Sequence, residues 1–288
     1  MPTPIDPRGK DNPNTYLVSD SSSEAEMIRL MIQDNVMTTG MGGPLPEQPE
    51  PEALRRVLDI GCGPGGWILS MATAYPLLSL VGIDISWKMI EYARAQAQAQ
   101  QLGQATEFHV MDARRPLAFP DDAFDLTNIR FGGSYLLVSD WPPLLRELVR
   151  VTRPGGTIRV TEGEVPRSNS PAHTRFSEML LCAATKAGHV ITSERGESRS
   201  ALTHMLIENG CCDVQSKVYV LEHVADTVAG QEFYQDAMYA FQTLKPFLQK
   251  MECTPEDYDE ICQQALIEMQ QKDFRATLDL TTVWGIKP

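Results

Sequence analysis

The sequence lacks a run of apolar residues long enough to span a bilayer, and it lacks the short apolar core of a secretory signal near its start. Three prolines stand among the first seven residues, where such a core would have to begin. We therefore expect a cytoplasmic protein that has no membrane among its partners.

The sequence is also poor in metal-binding patterns. None of its six cysteines forms a C-x-x-C pair, and no cysteine and histidine spacing is typical of a zinc site. We predict no metal cofactor and expect reduced thiols, several of them buried in helices. The cysteines are Cys62, Cys182, Cys211, Cys212, Cys253 and Cys262.

Positive charge is scarce, because 25 lysines and arginines face 38 aspartates and glutamates, for a formal net charge of −13. A strongly acidic surface repels phosphate backbones. The chain is therefore expected to have a small-molecule substrate and no nucleic-acid partner. Whether it forms a homodimer is left open.

The region between residues 51 and 165 alternates strand-like and helix-like apolar patterns. Strands separated by helices of this length predict an α/β fold with a doubly wound, mostly parallel sheet. After residue 165 the alternation gives way to helical segments, with strand patterns only towards the end. The predicted strands are 56–60, 78–84, 106–112, 123–131, 157–164, 214–224 and 275–286.

The segment Arg56–Trp67, RVLDIGCGPGGW, joins the first strand to a glycine-rich loop. Gly61 and Gly63 can adopt positive φ and let the backbone approach a ligand closely. Asp59 suits a cation, such as the sulfonium and ammonium of S-adenosylmethionine (SAM), better than a pyrophosphate. The dinucleotide pattern G-x-G-x-x-G also fits this loop, so an NAD enzyme with Asp84 on its ribose remains the alternative.

Further motifs follow in order: VGIDIS ending strand two, MDARRPLAF after strand three, FDLTNIRF as strand four, and LRELVRVTRPGGTIRVTEGE. Together with VLDIGCGPGG, this set resembles the class I SAM-dependent methyltransferases over about residues 55–165. It is most similar to the small-molecule branch related to ubiquinone and menaquinone C-methyltransferases. The resemblance implies a Rossmann-like methyltransferase fold with seven strands, the last of them antiparallel, and helical lid insertions.

The resemblance also implies how SAM would be held. Gly61 and Gly63 would let the backbone lie against its methionine half, and Asp59 would face its ammonium. Asp84 would accept hydrogen bonds from the two ribose hydroxyls, because paired carboxylate oxygens fit a diol.

Four residues are assigned in the same way to the adenine. Ile85 and Met89 would pack on its face, Asp112 would receive its amino group, and the backbone of Ala113 would read the ring edge.

Three further assignments complete the cofactor site. Asn128 would lie beside the methionine ammonium, with its carbonyl as the contact, and Arg130 would hold the SAM carboxylate or point at the substrate. Tyr16 would close over the cofactor.

Catalysis is expected to ask little of the side chains, because the methyl group of a sulfonium is already activated and transfer is an in-line displacement. A general base is needed only if the acceptor must lose a proton. Glu164, at the end of strand five, and His173, at the start of the next helix, are the candidates. We expect both to face the mouth of the pocket.

We predict an N-terminal tail and lid helix (1–50), a SAM-binding core (51–165), and substrate-lid insertions with the last two strands (166–288). The lid helix is expected to end near Met37 and to carry Ile28, Met31 and Ile32 on one face. An apolar acceptor is inferred from the aromatic and apolar residues expected in the pocket wall. These are Phe131, Tyr135, Phe176, Met179, Tyr234, Met238 and Trp284.

The function predicted is therefore methyl transfer from SAM to a small, fairly apolar acceptor. Two alternatives stay open, since some members of the family bind SAM but catalyse cyclisation or decarboxylation, and others could act as non-catalytic regulators that sense SAM.

Overall fold

The computed structural model describes residues 15–18, 23–190 and 196–288, so the predicted tail lies almost wholly outside the described residues. Within these ranges the chain forms one mixed sheet with helices around it. The strands are β1 (Arg56–Ile60), β2 (Ser79–Asp84), β3 (Thr106–Val110), β4 (Phe124–Arg130), β5 (Thr152–Gly163), β6 (Arg167–Ser168), β7 (Cys212–Val224) and β8 (Arg275–Ile286). The helices are α1 (Glu24–Met41), α2 (Gly66–Ala74), α3 (Trp87–Ala99), α4 (Trp141–Val151), α5 (Pro171–Ala187), α6 (Ser198–Glu208), α7 (Val228–Thr243), α8 (Lys245–Lys250) and α9 (Tyr258–Met269).

The strand order confirms the predicted α/β fold. It runs β3-β2-β1-β4-β5-β8, with β6 and β7 also paired to β8. The first five strands are parallel, and β8 runs antiparallel to β5, β6 and β7. The seven predicted strands are all present, and β6 adds a two-residue eighth.

The position of the ligand site follows from this order. The chain moves outward from β1 to one side through β2 and β3 and then returns to the other side through β4 and β5. A crevice opens at such a reversal, beyond the carboxyl ends of the central strands. Asp59 on β1 and Asn128 on β4 are register partners at this point.

Helix α1 differs from its prediction in length and in the face it buries. It continues to Met41 and ends where Gly42 takes a left-handed conformation, φ 90°. Its buried residues include Glu26 and Arg29. The apolar spacing alone therefore pointed to the wrong face, because charged residues on this helix find buried partners elsewhere in the chain.

Helices α5, α7, α8 and α9 pack into an apolar core of their own beside the sheet. Phe176 meets Phe241 edge-on with ring centroids 4.5 Å apart. Cys182 on α5 forms a disulfide with Cys253 after α8, so the expectation that all six thiols are reduced is wrong. These two cysteines lie 71 residues apart, and only the helix packing brings them together.

Among the described residues, no helix is long and apolar enough to cross a bilayer. The same residues contain no group of three or more side chains placed to hold a metal ion.

Candidate active site

A cavity of about 320 Å³ lies beyond the carboxyl ends of the central strands, between the sheet and α1. Its volume is at the lower end of the range usual for small-molecule sites. All residues predicted to bind the cofactor line it, except Asn128. Those that do are Tyr16, Asp59, Gly61, Gly63, Asp84, Ile85, Met89, Asp112, Ala113 and Arg130.

Asp84 ends β2 and is held in one orientation by two backbone donors. The N–H of Gly63 donates to its Oδ2 at 3.0 Å, and the N–H of Ser86 donates to its Oδ1 at 2.8 Å. Burial raises the pKa of Asp84, although these two donors oppose the rise. The strand tip therefore presents a fixed carboxylate to the cavity.

Asp59 is the second buried carboxylate of the cavity. The side-chain amide of Asn128 donates to its Oδ1 at 2.8 Å. Burial raises the pKa of Asp59 to about 7. An ionised carboxylate in this position lacks hydration, so it favours a cationic ligand.

Asn128 does not line the cavity, because its side chain is fully buried behind Asp59. Its amide contacts the Asp59 carboxylate. The predicted contact of the Asn128 carbonyl with the methionine ammonium stays a prediction.

Asp112 lies at the third strand end and binds a neighbouring arginine. Arg114 donates from Nε to Oδ1 at 3.0 Å and from Nη2 to Oδ2 at 3.1 Å. Burial alone would raise the pKa of Asp112, but the hydrogen bonds and charge of Arg114 lower it on balance. Its carboxylate is thus ionised at this strand end.

The glycine loop is shaped by a tyrosine. Gly61 and Gly63 have φ of 67° and 51°, conformations that strongly favour glycine. Tyr135 packs over Gly61 and donates from its hydroxyl to the carbonyl of Ile60 at 3.0 Å. A Cβ at Gly61 would come within 2.5 Å of that ring.

Helix α1 covers the loop and adds a residue that the sequence reasoning missed. Arg130 pairs with Asp34 of α1 at 2.7 Å and donates to the Thr38 hydroxyl at 3.0 Å. A Cβ at Gly66 would meet the Asp34 carboxylate at 2.6 Å, so this carboxylate lies at the start of α2. No local pattern could have identified Asp34, because its ion-pair partner, Arg130, comes from β4, far along the chain.

Tyr16 lines the cavity and is tied to the same helix. Its hydroxyl donates to Glu26 at 2.5 Å, and Glu26 accepts two hydrogen bonds from Arg29 at 2.7 and 2.9 Å. Arg29 also pairs with Asp236 of α7 at 3.3 Å. The buried charged residues of α1 thus connect Tyr16, in the segment before α1, to helix α7.

Carboxylates outnumber guanidinium groups among the side chains that line the cavity. The four carboxylates are those of Asp34, Asp59, Asp84 and Asp112, and the three guanidinium groups are those of Arg29, Arg114 and Arg130. Arg29 is also paired at 2.7 Å with Glu26, which lies outside the lining. The lining therefore favours a cationic ligand.

Comparison with known proteins identifies the family. A family model described as "Methyltransferase domain" matches residues 57–156. The demethylmenaquinone methyltransferase of Geobacillus kaustophilus is 34% identical over 177 residues, which cover 57% of this chain and 74% of that enzyme. The chain belongs to the SAM-dependent methyltransferase family.

Other relatives share less of their length. The ajmaline N-methyltransferase of Rauvolfia serpentina is 37% identical over 127 residues, 44% of this chain and 42% of that protein. The solved [4+2]-cyclase SpnF superposes with a TM-score of 0.52 at 18% identity, covering 93% of this chain and 97% of that one. The phosphoethanolamine N-methyltransferase 2 of Haemonchus contortus superposes with a TM-score of 0.50 at 18% identity, covering 81% of this chain and 49% of that one. At these sequence identities, the similarity to the two structures supports the fold and no statement about function.

The cofactor of this methyltransferase is SAM, and its cavity fits that molecule. A sulfonium, an ammonium and a carboxylate give SAM one net positive charge, which suits a lining in which carboxylates outnumber guanidinium groups.

The predicted walls of the methyltransferase pocket are only partly correct. Phe131 and Tyr135 line the cavity. The aromatic residues of α5 and α7 instead face the core that the lid helices share, so Leu180 and Leu244 take their place in the cavity wall. Trp284 on β8 pairs in register with Gln215, away from the cavity. The five residues outside the lining are Phe176, Met179, Tyr234, Met238 and Trp284.

Neither of the predicted general bases lines the cavity. Glu164 accepts a hydrogen bond from the N–H of Gly196 at 2.9 Å. His173 is buried against Phe233, with its Nδ1 3.3 Å from the Ser168 hydroxyl. The expectation that both face the pocket mouth is wrong, because Glu164 binds the backbone of Gly196 and His173 packs against Phe233.

Burial lowers the pKa of His173 to about 4, which predicts acid sensitivity. The neutral ring is favoured in the folded state, so its contribution to stability is complete above the unfolded pKa of about 6.5 and is lost as the pH falls towards 4. We expect the His173→Phe variant to lose about 2 kcal/mol less unfolding free energy than the wild type between pH 6.5 and pH 5. Urea unfolding at both pH values measures this difference, and equal losses would contradict it.

Proposed function

We propose that this methyltransferase methylates a small, largely apolar acceptor that binds beside SAM in the same cavity. The observation that carries the proposal is the continuity of one cavity from an acidic rim to an apolar roof. Asp59, Asp84 and Asp112 form the rim at the strand ends. The roof comes from elements outside the core and consists of Leu17, Val18, Leu30, Leu180 and Leu244.

The rim residues are proposed to hold the cofactor. Asp84, fixed by the N–H groups of Gly63 and Ser86, would accept from the ribose hydroxyls. Asp59 would face the ammonium, while Gly61 and Gly63 leave room beside the methionine chain. Ile85, Met89, Asp112 and Ala113 would surround the adenine.

Arg130 and Tyr16 are proposed to act from the lid side. Arg130 pairs with Asp34 and lines the cavity, where it would hold the SAM carboxylate. Tyr16 is held by Glu26 at the cavity wall and would close over the cofactor.

SAM supplies an activated methyl group, so the chain needs mainly to align the acceptor and to exclude water. The apolar roof performs the second task. Since neither Glu164 nor His173 lines the cavity, we propose that neither serves as a base. Alignment in line with the methyl–sulfur bond would then provide most of the rate.

The relatives named for demethylmenaquinone and for ajmaline support a small organic acceptor. The proposal keeps the division into a lid helix (1–50), a SAM-binding core (51–165) and lid insertions (166–288). A cytoplasmic location is also proposed. We propose no nucleic-acid partner, because the net charge of −13 disfavours binding to phosphate backbones.

Labelled methyl transfer tests the proposal with a panel of small acceptors that differ stepwise in polarity, alongside calorimetric SAM binding. We expect the label to enter apolar acceptors preferentially. Labelling of charged acceptors only would refute the apolar site. SAM binding without any labelled product would favour the cyclisation, decarboxylation or regulatory alternatives.

The roof residues give a second test. Leu180→Asn and Leu244→Asn place an amide in the apolar wall, which costs about 1–3 kcal/mol when its hydrogen bonds are unmet. We expect the acceptor KM to rise about 10-fold while the SAM Kd stays within about twofold. Leu181→Asn is the matched control on α5, since Leu181 is 37% exposed and does not line the cavity. An unchanged KM in both roof variants would show that the acceptor lies elsewhere.

A further inference from the structure

Three polar side chains form a straight row across the buried centre of the sheet. Asp59 on β1 is the register partner of Asn128 on β4, and Asn128 is the register partner of Arg159 on β5. The amide of Asn128 donates to Asp59 at 2.8 Å, and Nη1 of Arg159 donates to the amide oxygen of Asn128 at 2.7 Å. Asn128 and Arg159 are fully buried.

The row ends on a carboxylate from outside the sheet. Arg159 donates from Nε to Glu47 at 2.6 Å, and Tyr219 donates to the other oxygen of Glu47 at 3.2 Å. The Glu47 side chain is 1% exposed, and the charge and hydrogen bonds of Arg159 outweigh burial and lower its pKa. Glu47 belongs to the connection between α1 and β1, which Trp67 holds through a 3.0 Å hydrogen bond to the Pro44 carbonyl.

The chemistry of these groups fixes the direction of every hydrogen bond. A guanidinium can only donate, so the amide oxygen of Asn128 must face Arg159 and its N–H₂ must face Asp59. Glu47 carries a negative charge that Arg159 neutralises, and Asp59 adds a second negative charge when it ionises. The row therefore ends at the cavity in a carboxyl group whose charge no other member of the row balances.

A buried polar row of this kind is costly unless it serves a purpose, since well-packed apolar residues would be at least as stable. We infer that Asn128, Arg159 and Glu47 are positioning residues that hold Asp59 in the orientation and ionisation state that SAM binding requires. The inference rests on the proposed role of Asp59 as the partner of the SAM ammonium. Through Arg159 and Asn128, Glu47 in the connection after α1 would then affect how Asp59 binds the cofactor.

The other charged groups that act on Asp59 lie on β4 and α1, and the neutral Cys62 thiol and Tyr135 phenol also face it. Arg130 on β4 lowers its pKa, and Asp34 on α1 raises it, while the donor of Asn128 and the charge of Arg159 both lower it. The row variants below leave Arg130 and Asp34 unchanged, so a shift in the titration of Asp59 reports the row.

The test measures the SAM Kd by calorimetry from about pH 5.5 to 8.5, a range that brackets the Asp59 pKa of about 7. In Asn128→Leu the Asp59 carboxylate loses its hydrogen-bond donor. We expect the midpoint, which is the pH at which the change in SAM affinity is half complete, to rise by about one unit. SAM binding at pH 6 should then be about 10-fold weaker. In Glu47→Gln the charge of Arg159 is no longer neutralised, so the midpoint should fall. Opposite shifts from two residues of one row are not expected of a structural role.

Thr127→Val is the matched control. Thr127 is equally buried on β4, and its hydroxyl bonds Thr152 at 3.0 Å, outside the row. This variant should lose stability without moving the midpoint. Glu47→Gln is nearly isosteric and keeps the test available if Asn128→Leu does not fold.

The Asp59→Asn variant distinguishes the proposed role of Asp59 from the positioning role of the row. Unchanged SAM affinity in that variant would overturn the proposed role of Asp59 itself. Strong weakening there, with an unmoved midpoint in both row variants, would overturn the positioning role alone.

Discussion

Replacing Asp84 by alanine is expected to weaken SAM binding more than about 100-fold. Two hydrogen bonds from the ribose hydroxyls to an ionised carboxylate contribute about 1.5–3 kcal/mol each, and each 1.4 kcal/mol is a factor of ten in Kd. The substitution also removes the acceptor of the Gly63 and Ser86 N–H groups, which loosens the glycine loop. Calorimetric titration with SAM measures the change.

Asp125→Ala is a close control for that variant. Asp125 also accepts two backbone N–H groups, from Arg55 at 2.9 Å and from Arg56 at 2.7 Å, and it pairs with Arg153 at 2.6 Å. It lies near the start of β4 and does not line the cavity. We expect Asp125→Ala to lower the unfolding temperature and to leave the SAM Kd within about twofold. If both variants bound SAM equally well, Asp84 would be a structural cap and the ribose assignment would be lost.

The Gly61→Ala variant is expected to lose SAM affinity by a similar factor for a steric reason. The residue has φ 67°, and its new Cβ would lie 2.5 Å from the ring and hydroxyl of Tyr135. Backbone strain of this kind costs on the order of 1–3 kcal/mol. Tyr135 would have to leave its hydrogen bond to Ile60 and turn away, and because it lines the cavity the change reaches the cofactor site.

Gly188→Ala is a control that carries the backbone strain of a positive φ without a steric contact at the new Cβ. Gly188 ends α5 at φ 81°, and among the described residues nothing lies within 4 Å of the position that a Cβ would take, so alanine there meets only the backbone cost. We expect a stability loss of about 1 kcal/mol and unchanged SAM binding. In the double variant Gly61→Ala, Tyr135→Ala, part of the lost affinity should return. Wild-type binding by Gly61→Ala alone would exclude close packing of the cofactor against this loop.

The strand ends were predictable because their signals are local. Asp59, Asp84 and Asp112 each follow a short apolar strand, and parallel strands bring such ends to one edge of a sheet. Glycines 61 and 63 indicated the loop, since few other residues accept positive φ. The family resemblance then gave these positions their assignments.

The lid was harder to predict, because helical spacing indicates that a face is buried without indicating what it meets. Phe176 and Leu180 both lie on inward faces of α5, yet Phe176 joins the lid core and Leu180 lines the cavity. His173 was placed at the cavity mouth on chain order alone. Its actual neighbours, Phe233 and Ser168, follow from how α5 packs after β6.

The strands of the wound sheet, the glycine loop and the carboxylate at each strand end could be predicted, since each signal lies within one short segment. The pairing of Asp34 with Arg130, the bridge of Arg159 between Glu47 and Asn128, and the disulfide between Cys182 and Cys253 depend on the tertiary structure. The members of each contact are far apart along the chain and become adjacent only after the sheet and helices have packed. Contacts of this kind leave no periodic trace in the sequence, because each side chain needs a single partner that can stand anywhere in the chain.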